Sequence, residues 1–371
     1  MSLTYSMASP SSFPRTIPYN KLPLLPPKIE IETKRTLKLA INARAALSDL
    51  KGEGRLIPNQ AVLVRAIVLQ EAKLSSEVEN IVTTNDDLYR ALSKDSQEGN
   101  PHTKEVLRYG EAVWSGVRHL QENHRMNPDL FAALASIIND VDTGVRKQSG
   151  TRIGNQATGQ IIYSPPVGED LIRGLLTNLC EFIYDDQDDI DPLVKLAVAH
   201  YQFEAIHPFP DGNGRTGRVL NILFLIERRL LEIPVLYLSR YIIQNKSRYY
   251  HGLREVTEHG AWEDWISLIL QAIEATAIET RKRIHSIRQA MTEAKELIKV
   301  AAPKMYSHEL VELIFSQPYT RIGFLEQSGL AKRQTASVYL KRLEELGILV
   351  SVKSWRETLY LNPKLMQLLA A

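Results

Sequence analysis

The segment His207-Pro-Phe-Pro-Asp-Gly-Asn-Gly-Arg-Thr-Gly-Arg218 holds a base, a carboxylate, two glycines flanking an asparagine, and two arginines three residues apart. The residues before it, Asp191 to Ile206, read as a helix. Asp191 is a capping residue, Pro192 suits the first helical position, and Leu193, Leu196, Ala197 and His200 follow a helical stripe. Arg215 to Leu230 reads as a second, more apolar helix. His207–Gly214 is then a helix-to-helix loop that opens onto a helix N-terminus.

That placement suits an anion. The first N–H groups of a helix lack internal partners and carry partial positive charge. Gly212 and Gly214 allow backbone angles that turn successive N–H groups, with that of Asn213, toward one anion. Arg215 and Arg218 lie at i, i+3 and offer guanidinium forks to phosphate oxygens. Asp211 is a hard oxygen ligand suited to Mg2+ beside phosphates, and His207 is the loop's group for accepting a proton near neutral pH. Each residue alone has an ordinary structural reading; their joint presence in one loop points to a phosphate-binding catalytic site. The loop lacks the Gly-Lys-Ser/Thr ending and the preceding strand of a Walker A motif, and its helical flanks exclude a Rossmann fingerprint.

The same residues match the signature HxFx(D/E)GNGRxxR, and the chain resembles the Fic-domain proteins. The resemblance implies a compact all-α core and transfer of AMP from ATP to a Tyr, Thr or Ser hydroxyl of a target protein, and of the chain itself. It places His207 as the base and Asp211 on Mg2+. Gly212, Asn213, Gly214, Arg215, Gly217 and Arg218 are placed on ATP. The related Doc kinases carry Lys where this chain has Gly214, which disfavours kinase chemistry. Thr158–Pro166, with Gly159, Gln160, Ile161, Ile162 and Tyr163, resembles the family's flap: a β-branched and aromatic run that reads as a short hairpin and whose edge registers an extended target segment. Tyr237–Tyr250 resembles the segment lining the nucleobase pocket, with Asn245 for an adenine edge and Tyr249 or Tyr250 for ring packing; tyrosines at this density also suit ordinary helix packing.

Pro58 to Thr83 reads as a helix ending near Asn80. Within it Ser75-Ser-Glu-Val-Glu79-Asn80 matches the family's inhibitory motif (S/T)xxxE(G/N). Ser75 and Glu79 lie at i, i+4 and point the same way. The resemblance sets Glu79 against Arg218, so that an arginine paired bidentately with a carboxylate is withheld from the γ-phosphate.

With 371 residues, a formal net charge of +2 and one cysteine, the chain is long enough for two domains and carries no global bias toward nucleic acid or membrane. Cys180 alone cannot form an intramolecular disulfide and, with no signal or membrane-spanning pattern, fits a cytoplasmic protein. Residues 1–29 read as a Pro-rich extended arm, with Leu22, Leu24 and Leu25 as the hint of docking. Residues 30–300 read as the catalytic body, including the inhibitory helix at 58–82. Residues 303–371 read as a winged helix: three helices, then strands around Ser354-Trp-Arg-Glu. Its third helix presents Lys332, Arg333, Gln334 and Lys341, yet nine Lys/Arg against six Asp/Glu is a mild excess, and protein docking or homodimerisation is preferred over DNA contact. Rival readings are removal of AMP by the same site, a DNA-binding regulator with a nucleotide-sensing body, and transfer from another diphosphate donor.

Overall fold

A computed structural model describes residues 13–56, 60–93, 100–122, 124–154, 158–236, 238–354 and 357–370. Tyr237, the 94–99 segment and residues 1–12 of the arm lie outside the described residues, as do the side chains of 60–63, 354 and 357. Helices dominate. In order they are α1 (Lys34–Arg55), α2 (Gln60–Val78), α3 (Asn85–Ser93), α4 (Pro101–Gln121) and α5 (Pro128–Asn139). A two-stranded hairpin follows, β1 (Ile153–Gly154) and β2 (Ile161–Tyr163). Then come α6 (Glu169–Tyr184), α7 (Pro192–Ile206), α8 (Asn213–Glu227), α9 (Leu238–Gln244), α10 (Lys246–His259) and α11 (Trp262–Ala301).

Local chemistry sets several starts. Thr33, Asn100, Asn127 and Asp191 each accept a backbone N–H of the helix they precede, and Pro101, Pro128 and Pro192 occupy first-turn positions. The centre is α7, buried on every face from Leu193 to Phe203, with the equally apolar α8 beside it. The sequence reading of α7 as a striped helix is therefore corrected: a helix enclosed all round needs no polar face. α8 also starts two residues earlier than expected, at Asn213, and ends at Glu227 rather than Leu230. Around this pair pack α4, α5, α6 and α11, while α1 lies along α11.

Residues 13–29 lie across the body. Leu22 and Leu25 are buried and Leu24 is exposed. Tyr19 N–H donates to the Ser164 carbonyl, Asn178 Nδ2 donates to the Leu25 carbonyl, and Gln202 Nε2 donates to the Pro23 carbonyl. The rings of Phe13 and Tyr19 pack on Tyr163 of the hairpin.

The C-terminal unit contains α12 (His308–Ser316), β3 (Tyr319–Thr320), α13 (Ile322–Gln327), α14 (Arg333–Glu345), β4 (Val350–Ser354), β5 (Glu357–Leu361) and α15 (Pro363–Ala370). Its sheet is antiparallel in the order β3-β5-β4, with Tyr319 opposite Leu361 and Val350 opposite Leu361. Lys332, Arg333, Gln334 and Lys341 are exposed on α14. α12 and α15 pack against both α2 and α11, and β3 against α3. The elements α3, β3 and α15 have no counterpart in the sequence reading.

Candidate active site

His207 ends α7 in a left-handed conformation, φ 49°, and Gly212 precedes α8 at φ 76°. These two turns bend the chain so that the loop arches over the N-terminus of α8. Asn213 locks the arch: Phe209 N–H donates to its Oδ1 (2.8 Å), and its Nδ2 donates to the Phe209 carbonyl (2.7 Å). Phe209 itself is fully buried and anchors the loop in the core. The Asn213 side chain thus serves the loop and is not free for a ligand. A Cβ at Gly212 would lie 2.8 Å from Asn139 Oδ1, so neighbour and backbone angle both require glycine there.

The two arginines diverge to different helices. Arg218 is buried, and its Nε donates to Ser75 Oγ (2.7 Å). One of its terminal nitrogens, Nη2, donates to the Ser75 carbonyl and to Glu79 Oε1, each at 2.9 Å. The pair is therefore a single bond to Glu79 with two to Ser75, not the two-pronged carboxylate pair expected. Glu79 Oε1 lies 2.3 Å from where a Cβ at Gly214 would stand, directly over the first turn of α8. Burial by itself raises the Glu79 carboxyl, but the Arg218 guanidinium outweighs it and holds the carboxyl below its ordinary value. Arg215 turns the other way, onto Glu105 of α4, with Asn139 Oδ1 at 3.3 Å and Asp211 Oδ1 at 3.9 Å. Asn139 Nδ2 in turn donates to the Asp211 carbonyl.

Burial is the main cause that pushes the His207 imidazole down, to about 4, with the nearby Arg146 guanidinium acting in the same direction. Glu79 and Asp211 oppose that shift. A neutral imidazole at pH 7 is the form a base requires. The Asp211 carboxylate, 81% exposed at the loop's mouth, is open to a hard cation shared with phosphates.

Behind the arginines lies a buried polar layer. Ser239 Oγ donates to Glu71, the Tyr109 hydroxyl approaches it at 3.5 Å, and burial pushes Glu71 up to about 7. Gly217 packs against Phe203 and Glu204, and burial raises Glu204 to about 7 as well. His200 is enclosed: Asn221 Nδ2 lies 3.1 Å from its Nδ1, and the Tyr249 hydroxyl lies 2.9 Å from its Nε2. Burial drives His200 down to about 3, which makes it a neutral core residue.

Asn245 precedes α10 and donates through Nδ2 to the Tyr241 carbonyl. Tyr249 is internal and packs on Trp265, whereas Tyr250 is 44% exposed and offers ring surface. In the hairpin, Ile153 pairs with Tyr163 and Gly154 with Ile161. Gly159 takes φ 68° at its tip, Gln160 N–H reaches Thr158 Oγ1, and Ile161, Ile162 and Tyr163 are half-buried. Asn80 closes α2 with φ 64°, held from α10 by Lys246, whose Nζ donates to the Val78 carbonyl and lies 3.5 Å from Asn80 Oδ1.

Residues 116–225 match the Fic/DOC family, and residues 37–118 match the Fic/DOC family N-terminal region. The chain belongs to the Fic/DOC family. Residues 290–365 match the C-terminal domain of SoFic-like protein adenylyltransferases, a match that begins inside α11. A 99-residue stretch is 37% identical to a probable protein adenylyltransferase of Aquifex aeolicus, covering 26% of this chain and 27% of that protein. Protein adenylyltransferase fic-1 of Caenorhabditis elegans is 31% identical over 112 residues, 30% of this chain and 21% of that protein. Protein adenylyltransferase Fic of Drosophila willistoni is 32% identical over 126 residues, covering 32% and 24%. The chain thus matches about a quarter of the length of these curated relatives. Among solved structures, a Fic family protein from Desulfovibrio desulfuricans shares the fold with a TM-score of 0.55 at 18% identity, covering 91% of this chain and 98% of that one.

Within this Fic core, sequence reasoning missed Glu105, Asn139, Arg146 and Lys246. Each is an ordinary polar residue in its own stretch and acquires a role only from a partner far along the chain.

Proposed function

We propose that this Fic protein transfers AMP from ATP to a protein hydroxyl and is held back by its own α2. The observation that carries the reading is Arg218 of the loop bonded to Ser75 and Glu79 at the N-terminus of α8. The phosphates of ATP take the anion site at that helix end, with Arg215 and Arg218 on the β- and γ-phosphates. Asp211 would hold Mg2+, which would supply positive charge to offset that of the phosphates. Tyr250 and Asn245 line the side on which the adenine rests. A target segment lies along β2, and its Tyr, Thr or Ser hydroxyl reaches His207.

The hydroxyl oxygen attacks the α-phosphorus, the α–β phosphoanhydride bond breaks, and pyrophosphate leaves with the electron pair. His207 takes the hydroxyl proton, a contribution of about 10²–10⁴-fold. Positioning and charge stabilisation supply most of the rest. While Glu79 sits over Gly214, it occupies the space and the charge partner that the γ-phosphate needs. The test is intact-mass spectrometry of the Glu79→Gly chain after incubation with ATP and Mg2+. Adducts of AMP mass that vanish with His207→Ala support the reading; their absence from Glu79→Gly, with and without candidate targets, rejects it.

We read the C-terminal unit as a winged helix that docks protein, in a second copy of the chain or in a target, in preference to DNA. The support is its modest basic excess, nine Lys/Arg against six Asp/Glu from residue 303 onward. DNA binding that weakens steeply with salt would reverse that preference. Among the described residues no helix is long and apolar enough to cross a membrane. A cytoplasmic setting is proposed on the lone Cys180, which fits a reducing compartment.

A further inference from the structure

Four consecutive main-chain carbonyls, those of Ala205, Ile206, His207 and Pro208, mark the end of α7 and the start of the loop. All four receive donors from outside α7. The Tyr163 hydroxyl of β2 donates to the Ala205 carbonyl at 2.8 Å. Arg146, in the segment between α5 and β1, supplies the other three. Its NH2 donates to the Ile206 carbonyl at 3.2 Å, its Nε to the His207 carbonyl at 2.7 Å, and its backbone N–H to the Pro208 carbonyl at 2.9 Å. The same NH2 also donates to the Pro166 carbonyl, just past the hairpin. Arg146 is 4% exposed.

A charge buried this deeply is costly unless its donors are matched, and neutral carbonyls match them less well than a carboxylate would. Helix-end carbonyls are ordinarily satisfied by a glycine cap or by water. Here the terminal residue is His207, held at φ 49°, in the left-handed region that residues other than glycine seldom occupy and that Asn, Asp and His enter more readily than the rest. The three-way bonding surrounds that one left-handed residue and ties it to the segment just past the hairpin.

We propose that Arg146 is a positioning residue for His207: its buried guanidinium holds the left-handed backbone that aims the imidazole, and couples that backbone to the hairpin that receives the target. The proposal rests on reading His207 as the base. It also has an electrostatic side. The groups that act most strongly on the imidazole are Arg146 from the α5–β1 segment, Glu79 just past α2, Asp211 from the loop, and the Glu204 carbonyl from α7. Of these only Arg146 is a cation, and it favours the neutral, proton-accepting form.

The test uses the full chain in the Glu79→Gly background and compares Arg146→Gln with Arg146→Lys. The His207 imidazole is titrated by NMR, its resonance assigned by loss in His207→Ala. Hydrogen exchange is read over residues 205–212, and AMP transfer gives kcat and the KM for ATP. In Arg146→Gln we expect the His207 titration to move upward from about 4 toward the ordinary histidine value. Exchange over 205–212 should quicken, and kcat should fall by about 10–100-fold with the KM for ATP within about threefold. In Arg146→Lys the charge stays but the fork is lost. The titration should remain within about half a unit of the parent, while exchange quickens and kcat falls.

Unchanged exchange over 205–212 in both folded variants overturns the positioning role, whatever the activity. An unmoved titration in Arg146→Gln overturns the electrostatic side. If Arg146→Gln does not unfold cooperatively, exchange and kcat in Arg146→Lys decide, with parental values for both rejecting the proposal. Should the Glu79→Gly parent transfer no AMP, the proposed function fails, while titration and exchange still judge Arg146.

Discussion

In the proposed reading, Arg218 carries the regulatory weight at the scale of single residues. It is always charged, buried, and bonded to Ser75 and Glu79, so its availability to a phosphate depends on what α2 places before it. Glu79→Gly removes the carboxylate above Gly214 and leaves Ser75 in place. AMP incorporation by that variant should exceed wild type by about tenfold or more, measured with labelled ATP; a tenfold change corresponds to about 1.4 kcal/mol of barrier. The pH dependence follows from His207. Its folded value, about 4, lies below the ordinary 6.5. Between those values the unfolded chain binds the extra proton, so the contribution of His207 to stability is present above pH 6.5 and is lost as pH falls toward 4. Glu71 and Glu204, raised to about 7, act in the opposite direction, so the contribution of His207 is read as a difference: on going from pH 7 to pH 5 the urea midpoint of His207→Ala should change less unfavourably than that of the parent. As the free enzyme keeps the imidazole neutral, kcat/KM of Glu79→Gly should show no loss near pH 6.5 and decline only toward pH 4.

At the scale of elements, the site depends on how closely α4 and α8 approach. α4 brings Glu105 to Arg215, and the contact requires glycine where the helices meet. A Cβ at Gly116 would lie 2.6 Å from a Leu223 methyl, and Leu223 is fully buried with little room to turn aside. Gly116→Val should therefore cost about 1–3 kcal/mol in urea unfolding, and it should weaken ATP binding more than a surface substitution of equal stability cost, since it shifts the helix that holds Arg215. The strong helix signals were legible from residues alone, because caps and first-turn prolines act within a few positions. The short helices α3, α9 and α15 were not. They hold few turns, and packing against α2, α4 and α11 supplies what propensity lacks.

At the scale of the whole molecule, α2 has two masters. One face meets Arg218, and others meet α12 and α15 of the C-terminal unit. Next to it, Tyr319 of β3 is 1% exposed, donates its hydroxyl to Asp86 of α3, and lies under the Arg90 guanidinium at 5.2 Å. Tyr319→Ala removes the ring and that bond together. It should lower stability by about 3 kcal/mol and raise AMP incorporation above the wild-type level by loosening the support of α2. A stable Tyr319→Ala protein with wild-type incorporation would separate the C-terminal unit from the control of Glu79.

The sequence by itself determined the loop from His207 to Arg218, the helices on either side, the Ser75–Glu79 spacing and the family that these imply. All of that is carried by residues within a few turns of one another, where caps, glycines and helical periodicity act directly. Only the tertiary structure decided that Glu105 takes Arg215, that Arg146 takes the carbonyls around His207, that Tyr249 is core while Tyr250 is open, and that the C-terminal unit rests on α2. Those pairings join residues brought together by folding from separate stretches, and a buried charge finds its partner through packing, which no local pattern in the chain records.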